Sequence, residues 1–366
     1  MRTTLVVCLA LATTAASASE CRLRGAPWLE GRVASTSASA NANARAVSGR
    51  TARAIDARRG EAIEVFVVAN GTRDGRRVVF SDDRRRGHTP WSGCDAHVAW
   101  RRVEPHPQHM TTPAPNASAP VYANAVVLGP DHGKWIGFDR LEYFETPLPG
   151  DATTLVVRDA QPSAGALLPS TAPRAEPWIG LGVMHLAATL RVGDATASTP
   201  GADDAPDGTL AARVFRYSFR SGDDFIGWLT SYFNVPYLFG SAGKGAKAQA
   251  ERYVGADCAD VLVAALRRMG GRQEYTSVGD LVDALPHPSG PVRPGDLYAL
   301  DYVGFADLPR SWDHIVALVE DRGPDGKPDG KPGPEDLVID TGNADGLKVA
   351  PLADQGEVRI SVLRPR

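Results

Sequence analysis

The sequence has few cysteines, no long apolar run beyond its first residues, and no excess of charge of either sign. Each shortage excludes something. The four cysteines sit in a chain of 366 residues, and a chain of that length has enough material for a full core. Stability therefore does not depend on a disulfide framework or a structural metal. No segment past the leader is long and apolar enough to span a bilayer. The formal net charge of −3 gives no global electrostatic footprint for nucleic acid. The one local cluster of basic residues is Arg73, Arg76, Arg77, Arg84, Arg85 and Arg86, with Arg101 and Arg102 nearby. It reads as solvated loops in preference to a patch for an anionic cell-surface polymer. What remains is ordinary globular material, 43% apolar and 23% charged, with room for two or three domains.

The first residues read as an export signal. Arg2 gives a short basic start, Leu5 to Leu11 is apolar, and Ala16-Ser17-Ala18 has the small-x-small form of a signal-peptidase site. The spacing predicts a leader over residues 1–18 and a mature chain starting near Ser19, in the periplasm or secreted. Loss of the leader removes one basic residue and no acid, for a charge of −4. Cys8 leaves with it. Cys21, Cys94 and Cys258 stay, an odd number in an oxidising compartment. The economical solution pairs Cys21 with Cys94 and leaves Cys258 as a free thiol, either reactive or protected by burial.

The middle of the chain reads as β. Residues 33–54 show no steady period and are taken as loop or weak strand. Glu61 to Ala69 is β-branched and runs into Asn70-Gly71, so it is a strand entering a turn. Arg77 to Phe80, Val98 to Val103, Val121 to Leu128 and Thr154 to Arg158 are further strands, and Thr111 to Pro120 is an extended loop. Trp91, Trp100 and Trp135 belong to the core of this module. Leu181 to Phe219 adds strand-like runs broken at Gly201 to Gly208. The expected organisation is a β-rich domain over 19–150, a β-rich extension or second small β domain over 151–220, and a different unit over 221–366.

The pattern changes after Ser221. Asp223-Asp224 precede an amphipathic helix over Phe225 to Phe233. Asp257 sits at the N-cap of a second helix that begins at Cys258. Leu262, Ala265, Leu266 and Met269 form its apolar face, and Gly270-Gly271 ends it. Strands follow at Leu297 to Tyr302, His314 to Glu320 and Leu337 to Thr341. A cysteine in the first turn of a helix meets unsatisfied N–H groups and the positive end of the dipole, which favour thiolate over the usual thiol pKa of about 8.5. An attacking thiolate needs a base within hydrogen-bond reach and a third group to orient that base.

Four stretches supply the context: Val235-Pro236-Tyr237-Leu238-Phe239-Gly240, Gly255-Ala256-Asp257-Cys258-Ala259-Asp260, Arg293-Pro294-Gly295-Asp296-Leu297 and Asp313-His314-Ile315-Val316. In this order they resemble the NlpC-type family of bacterial cell-wall cysteine peptidases, over roughly Asp224 to Leu363. The resemblance implies an α+β papain-like C-terminal domain preceded by an all-β N-terminal region. It implies Cys258 as nucleophile, His314 as general base, Tyr237 lining the nucleophile pocket, and Asp257 reading the free amine of a peptide substrate. On the next strand Asp340 takes the orienting position, with Asn343 as a substitute. Asp there departs from the family, which most often has His, but a carboxylate can hold the ring tautomer and stabilise imidazolium. Ala259-Asp260 after the cysteine and Ser241 after Gly240 are further departures.

The function implied is hydrolysis of a γ-D-glutamyl amide bond in peptidoglycan stem peptides by a Cys-His-Asp triad, with muropeptide as substrate and no cofactor. The alternatives are an amidase or acyltransferase on another amide or ester, and a non-catalytic wall-binding protein. The loop from Asp321 to Asp336 spaces carboxylates among glycines but lacks EF-hand spacing, and reads as a plain hairpin loop in preference to a Ca²⁺ site. His88, His97, His106, His109 and His132 have no tight metal-ligand spacing.

Overall fold

The computed structural model describes residues 20–34, 52–106, 111–112, 121–122, 142–161, 177–204, 210–237, 249–303, 312–342 and 346–365. The expected leader, Trp135, most of the strand expected over Val121 to Leu128, His109, His132, Leu238 to Ser241 and Asn343 lie outside them.

The first sheet is organised on one long strand. Strands β1 (Cys21–Leu23), β2 (Trp28–Val33), β3 (Ala54–Arg58), β4 (Ile63–Arg73) and β5 (Arg76–Phe80) open the described chain. β4 pairs with β2 along its first half and with β1 and β5 along its second, all antiparallel. Ile63, Val65, Val67 and Ala69 of β4 all enter the main core, the period of two that a strand with one packed face requires. The turn expected at Asn70-Gly71 is not there: β4 runs on, and the hairpin turns at Asp74-Gly75. Those two residues hold φ of 51° and 78°, the left-handed pair that a two-residue hairpin needs. Gly71 pairs with Leu23 and Val78 within the sheet, and the position requires glycine because a Cβ there would meet the Phe80 ring at 2.6 Å and the Arg22 carbonyl at 2.4 Å.

The next strands are β6 (Ala96–His106), β7 (Thr111–Thr112), β8 (Val121–Tyr122), β9 (Glu142–Pro147), β10 (Thr154–Val157), β11 (Gly182–Val192), β12 (Ala195–Ser198) and β13 (Phe215–Arg220). β7 and β8 form a two-stranded ribbon, and β10 joins the β4 sheet. The second sheet has the order β3-β13-β11-β6-β9, with β12 on β11. Strands from both sides of residue 150 thus share both sheets. β3 and β13 pair in parallel, which draws the start and the end of the β-rich region together.

Past β13 come three helices, α1 (Phe225–Thr230), α2 (Cys258–Arg268) and α3 (Val278–Ala284), and strands β14 (Leu297–Tyr302), β15 (His314–Glu320), β16 (Leu337–Gly342), β17 (Gly346–Pro351) and β18 (Val358–Leu363). These strands make one antiparallel sheet, β17-β16-β15-β14-β18. Central β15 is covered on both faces. Ile315 and Ala317 join the main core with Val261, Leu262 and Ala265 of α2, while Val316 and Leu318 join a second cluster with Tyr298, Leu300 and Val338. The main core runs without a break from Leu29 to Leu363.

The expected α+β papain-like C-terminal class is overturned. The described residues are mainly β-sheet, 42% strand against 14% helix, with three helices among them. The first helix is shorter than expected for local reasons. α1 ends at Thr230, not at Phe233, because the Thr230 hydroxyl back-bonds to the Gly227 carbonyl at 2.6 Å and Asn234 turns into the left-handed region at φ 73°. The Asn234 amide then ties the carbonyls of Ala160 and Val183, at 2.8 and 2.9 Å. α2 stops at its expected end, but Met269 leaves the apolar face and is 47% exposed.

Candidate active site

The N-terminus of α2 is fixed from two sides. Asp257 is its N-cap, in extended backbone, and its Oδ1 accepts from the Asp260 N–H at 2.8 Å. This is the side-chain cap that a short buried helix needs for its orphan donors. Upstream, Tyr237 bridges in parallel to Ala256, and the Ala256 N–H donates to the Pro236 carbonyl at 3.1 Å. The Pro-Tyr stretch is thereby clipped two residues ahead of Cys258, and Tyr237 and Cys258 are both buried. Cys258 carries a free thiol at 8% exposure. Cys21 and Cys94 are joined in a disulfide, Cα to Cα 5.6 Å.

His314 begins β15, where Asp313 closes the strand end: the Asp313 N–H donates to Leu300 O at 2.9 Å and its carboxylate accepts from the Tyr302 N–H at 3.0 Å. The Cys258 thiol is close enough to His314 to raise the pKa of the imidazole. His314 Nε2 lies 2.6 Å from Asp340 Oδ1, which leaves Nδ1 for the thiol. β15 and β16 pair with Ala317 opposite Ile339. Continuing that register puts Asp340 opposite Val316, on the face shared with His314 and diagonal to it, a spacing long side chains span.

The electrostatics follow from this packing. Burial alone would lower the His314 pKa, but Cys258 and Asp340 overcome it and push it up to about 10. The Asp340 carboxylate is penalised by burial, yet the His314 contact and the Gln355 amide hold it below the usual carboxylate range. The imidazole is therefore protonated and the carboxylate ionised at neutral pH.

Two residues of this site carry no signal in the sequence. Gln355 ends a single 3₁₀ turn, Leu352–Gln355, after β17. Its Nε2 donates to Asp340 Oδ2 at 2.9 Å and its Oε1 accepts from the Tyr302 hydroxyl at 2.7 Å. The Tyr302 ring in turn stacks on His314, centroids 6.4 Å apart and 24° between planes.

The remaining motif residues are structural. In Pro294-Gly295-Asp296, Gly295 adopts φ +93° and Asp296 is buried. Its carboxylate accepts from the Arg293 N–H at 3.0 Å and from Arg364 at 2.6 and 2.7 Å. In the loop from Asp321 to Asp336, Asp321 accepts from the N–H groups of Asp329 and Gly330. Asp336 accepts from Arg322, Gly333 and the Tyr298 hydroxyl. Those carboxylates hold the loop. Among the described residues no group of three or more His, Cys, Asp or Glu is arranged to hold a metal ion, and no helix is long and apolar enough to cross a membrane.

No family model, curated protein or solved structure matches the chain.

Proposed function

We propose that the chain is an exported cysteine hydrolase that cuts an amide bond in peptidoglycan stem peptides, of the γ-D-glutamyl-diamino acid type. The observation that carries the reading is the 2.6 Å contact between His314 and Asp340, with Cys258 near enough to the imidazole to raise its pKa. A nucleophile, a base and an orienting group in contact are the minimum for acyl transfer. In the reaction the Cys258 sulfur attacks the scissile carbonyl carbon. The Cys258 N–H at the helix start and the Tyr237 side chain face the developing oxyanion. His314 gives its proton to the departing amine, which breaks the C–N bond and leaves a thioester. Water then adds with His314 as base, and the acid product leaves. Asp257 reads the amine of the stem peptide while it caps α2. The disulfide between Cys21 and Cys94 supports an oxidising compartment, the periplasm or the medium.

The test is purified wild type and Cys258→Ala on muropeptides, with products followed by mass spectrometry. The variant keeps its melting temperature and loses turnover. Equal turnover by the variant would sink the reading.

A further inference from the structure

We infer that Gln355 is a positioning residue for the reaction, an amide that locks the Asp340 carboxylate in register with His314. The inference rests on the cysteine-hydrolase reading above.

An aspartate beside a histidine is an adequate orienter only if its carboxylate cannot swing about its own side-chain bonds. Here both oxygens are occupied. Oδ1 meets His314 Nε2 at 2.6 Å and Oδ2 meets Gln355 Nε2 at 2.9 Å. The Gln355 amide is itself fixed in one sense. An ionised carboxylate only accepts hydrogen bonds, so the NH₂ end must face Asp340. The carbonyl end is held there by the Tyr302 hydroxyl, which donates to it at 2.7 Å. Tyr302 closes the circuit by stacking on the imidazole that Asp340 holds. The four side chains come from β14, β15, β16 and the turn after β17, so no single element sets the geometry.

This arrangement has a chemical consequence. With Oδ1 committed to Nε2–H, the other ring nitrogen faces Cys258, and the ring keeps the orientation that proton transfer needs. Without the Gln355 amide, Asp340 keeps one side-chain hydrogen bond, to His314, and can swing toward Lys348, the cation opposite it on β17. The imidazolium then loses its counter-charge, and the sulfur loses its positive neighbour.

The test reads the thiol directly and needs no substrate. The rate of Cys258 alkylation by iodoacetamide is measured from pH 5 to 10 in the folded full chain, for wild type, Gln355→Met, Gln355→Glu and Tyr302→Phe. Gln355→Met keeps the volume and removes both hydrogen bonds. Its alkylation at neutral pH should fall about tenfold or more, the usual effect of removing the partner that orients a reactive group, with the melting temperature little changed. Gln355→Glu separates positioning from packing. As a neutral acid it can still donate to Asp340 and accept from Tyr302, so it should match wild type at low pH. It should lose reactivity as pH rises and the new carboxylate ionises against Asp340. A residue that only fills space would show no such limb. Tyr302→Phe should give a smaller loss of the same sign. Gln355→Met within twofold of wild type, with no new limb in Gln355→Glu, would overturn the positioning role. If wild-type Cys258 itself reacts no faster at neutral pH than a simple free thiol, the cysteine-hydrolase reading falls, and the inference with it.

Discussion

His314 Nε2 and Asp340 Oδ1 stand 2.6 Å apart across neighbouring strands of one sheet, and that contact decides which ring nitrogen faces Cys258. Replacing Asp340 by asparagine keeps the shape but removes the carboxylate that helps hold the imidazolium charged and oriented. The ring then loses the proton it must give to the leaving amine more readily. On muropeptide, Asp340→Asn should lower kcat/KM by roughly 10²- to 10⁴-fold, mostly through kcat. A loss under threefold, measured by steady-state kinetics, would remove Asp340 from the machinery.

The raised His314 pKa makes a second prediction, about pH. An ordinary histidine titrates near 6.5, and here the value is pushed up to about 10. A group raised in the folded state contributes stability that is full below the unfolded value and lost as pH climbs through the folded one. The stability gap between wild type and His314→Gln, from urea unfolding, should be flat below about pH 6.5 and shrink toward pH 10. The alkaline limb of kcat/KM should lie near the same upper value, because the leaving amine needs the imidazolium proton. A gap that widens between pH 7 and 10 would contradict the ion pair.

How much of this was legible depends on distance along the chain. Cys258 and His314 announce themselves locally, one behind an N-cap aspartate and the other ahead of an alternating strand. Asp340 can be found because it lies on the next strand. Gln355 and Tyr302 are 53 residues apart, and no periodicity marks an amide that bridges two side chains. The same limit hid the parallel pairing of β3 with β13, which joins residues more than 150 positions apart. The hairpin turn was misjudged for a different reason. Asn70-Gly71 and Asp74-Gly75 offer the same chemistry, and Gly71 is taken up by strand pairing with Leu23 and Val78. The fold class went wrong because the extent of the sheets comes from pairings between distant strands, β3 with β13 and β4 with β10, that no local pattern marks. Side-chain back-bonding at Thr230 and the left-handed Asn234 also stop α1 early.

A third prediction concerns the disulfide. Cys21 lies on β1, and Cys94 follows the Trp91 turn, 73 residues on. Arg73 gathers this corner by donating to the carbonyls of Pro90 and Ser92. Closing a loop of that length restricts the unfolded chain, so Cys21→Ser with Cys94→Ser should cost about 2–5 kcal/mol by denaturant unfolding. Reduced wild type should fall to the same midpoint. An unchanged midpoint would mean that the paired residues constrain nothing the unfolded chain explores.

The last prediction concerns the joint between the β-rich region and α2. Asp56 of β3 accepts from Arg216 at 2.6 Å and from the Ser218 hydroxyl at 2.7 Å, and Arg268 at the end of α2 lies 3.5 Å away. Both guanidinium groups also stack over the buried Tyr253 ring, at 4.3 and 4.9 Å. Burial would raise the Asp56 pKa, but Arg216 and Arg268 overcome it and hold the carboxylate well below its usual range. A depressed pKa contributes stability that is present above about 3.8 and lost as pH falls below it. Asp56→Asn removes the anion and leaves two enclosed cations facing each other, a change that typically costs about 3–5 kcal/mol. Arg268→Met should cost less, because Asp56 keeps Arg216. The coupling between the two substitutions, from a double-mutant cycle in urea, should be favourable at pH 7 and shrink steadily as pH falls below about 3.8, since the unfolded Asp56 takes up its proton first. Coupling that stays constant between about pH 4 and pH 2 would assign the joint to packing around Tyr253.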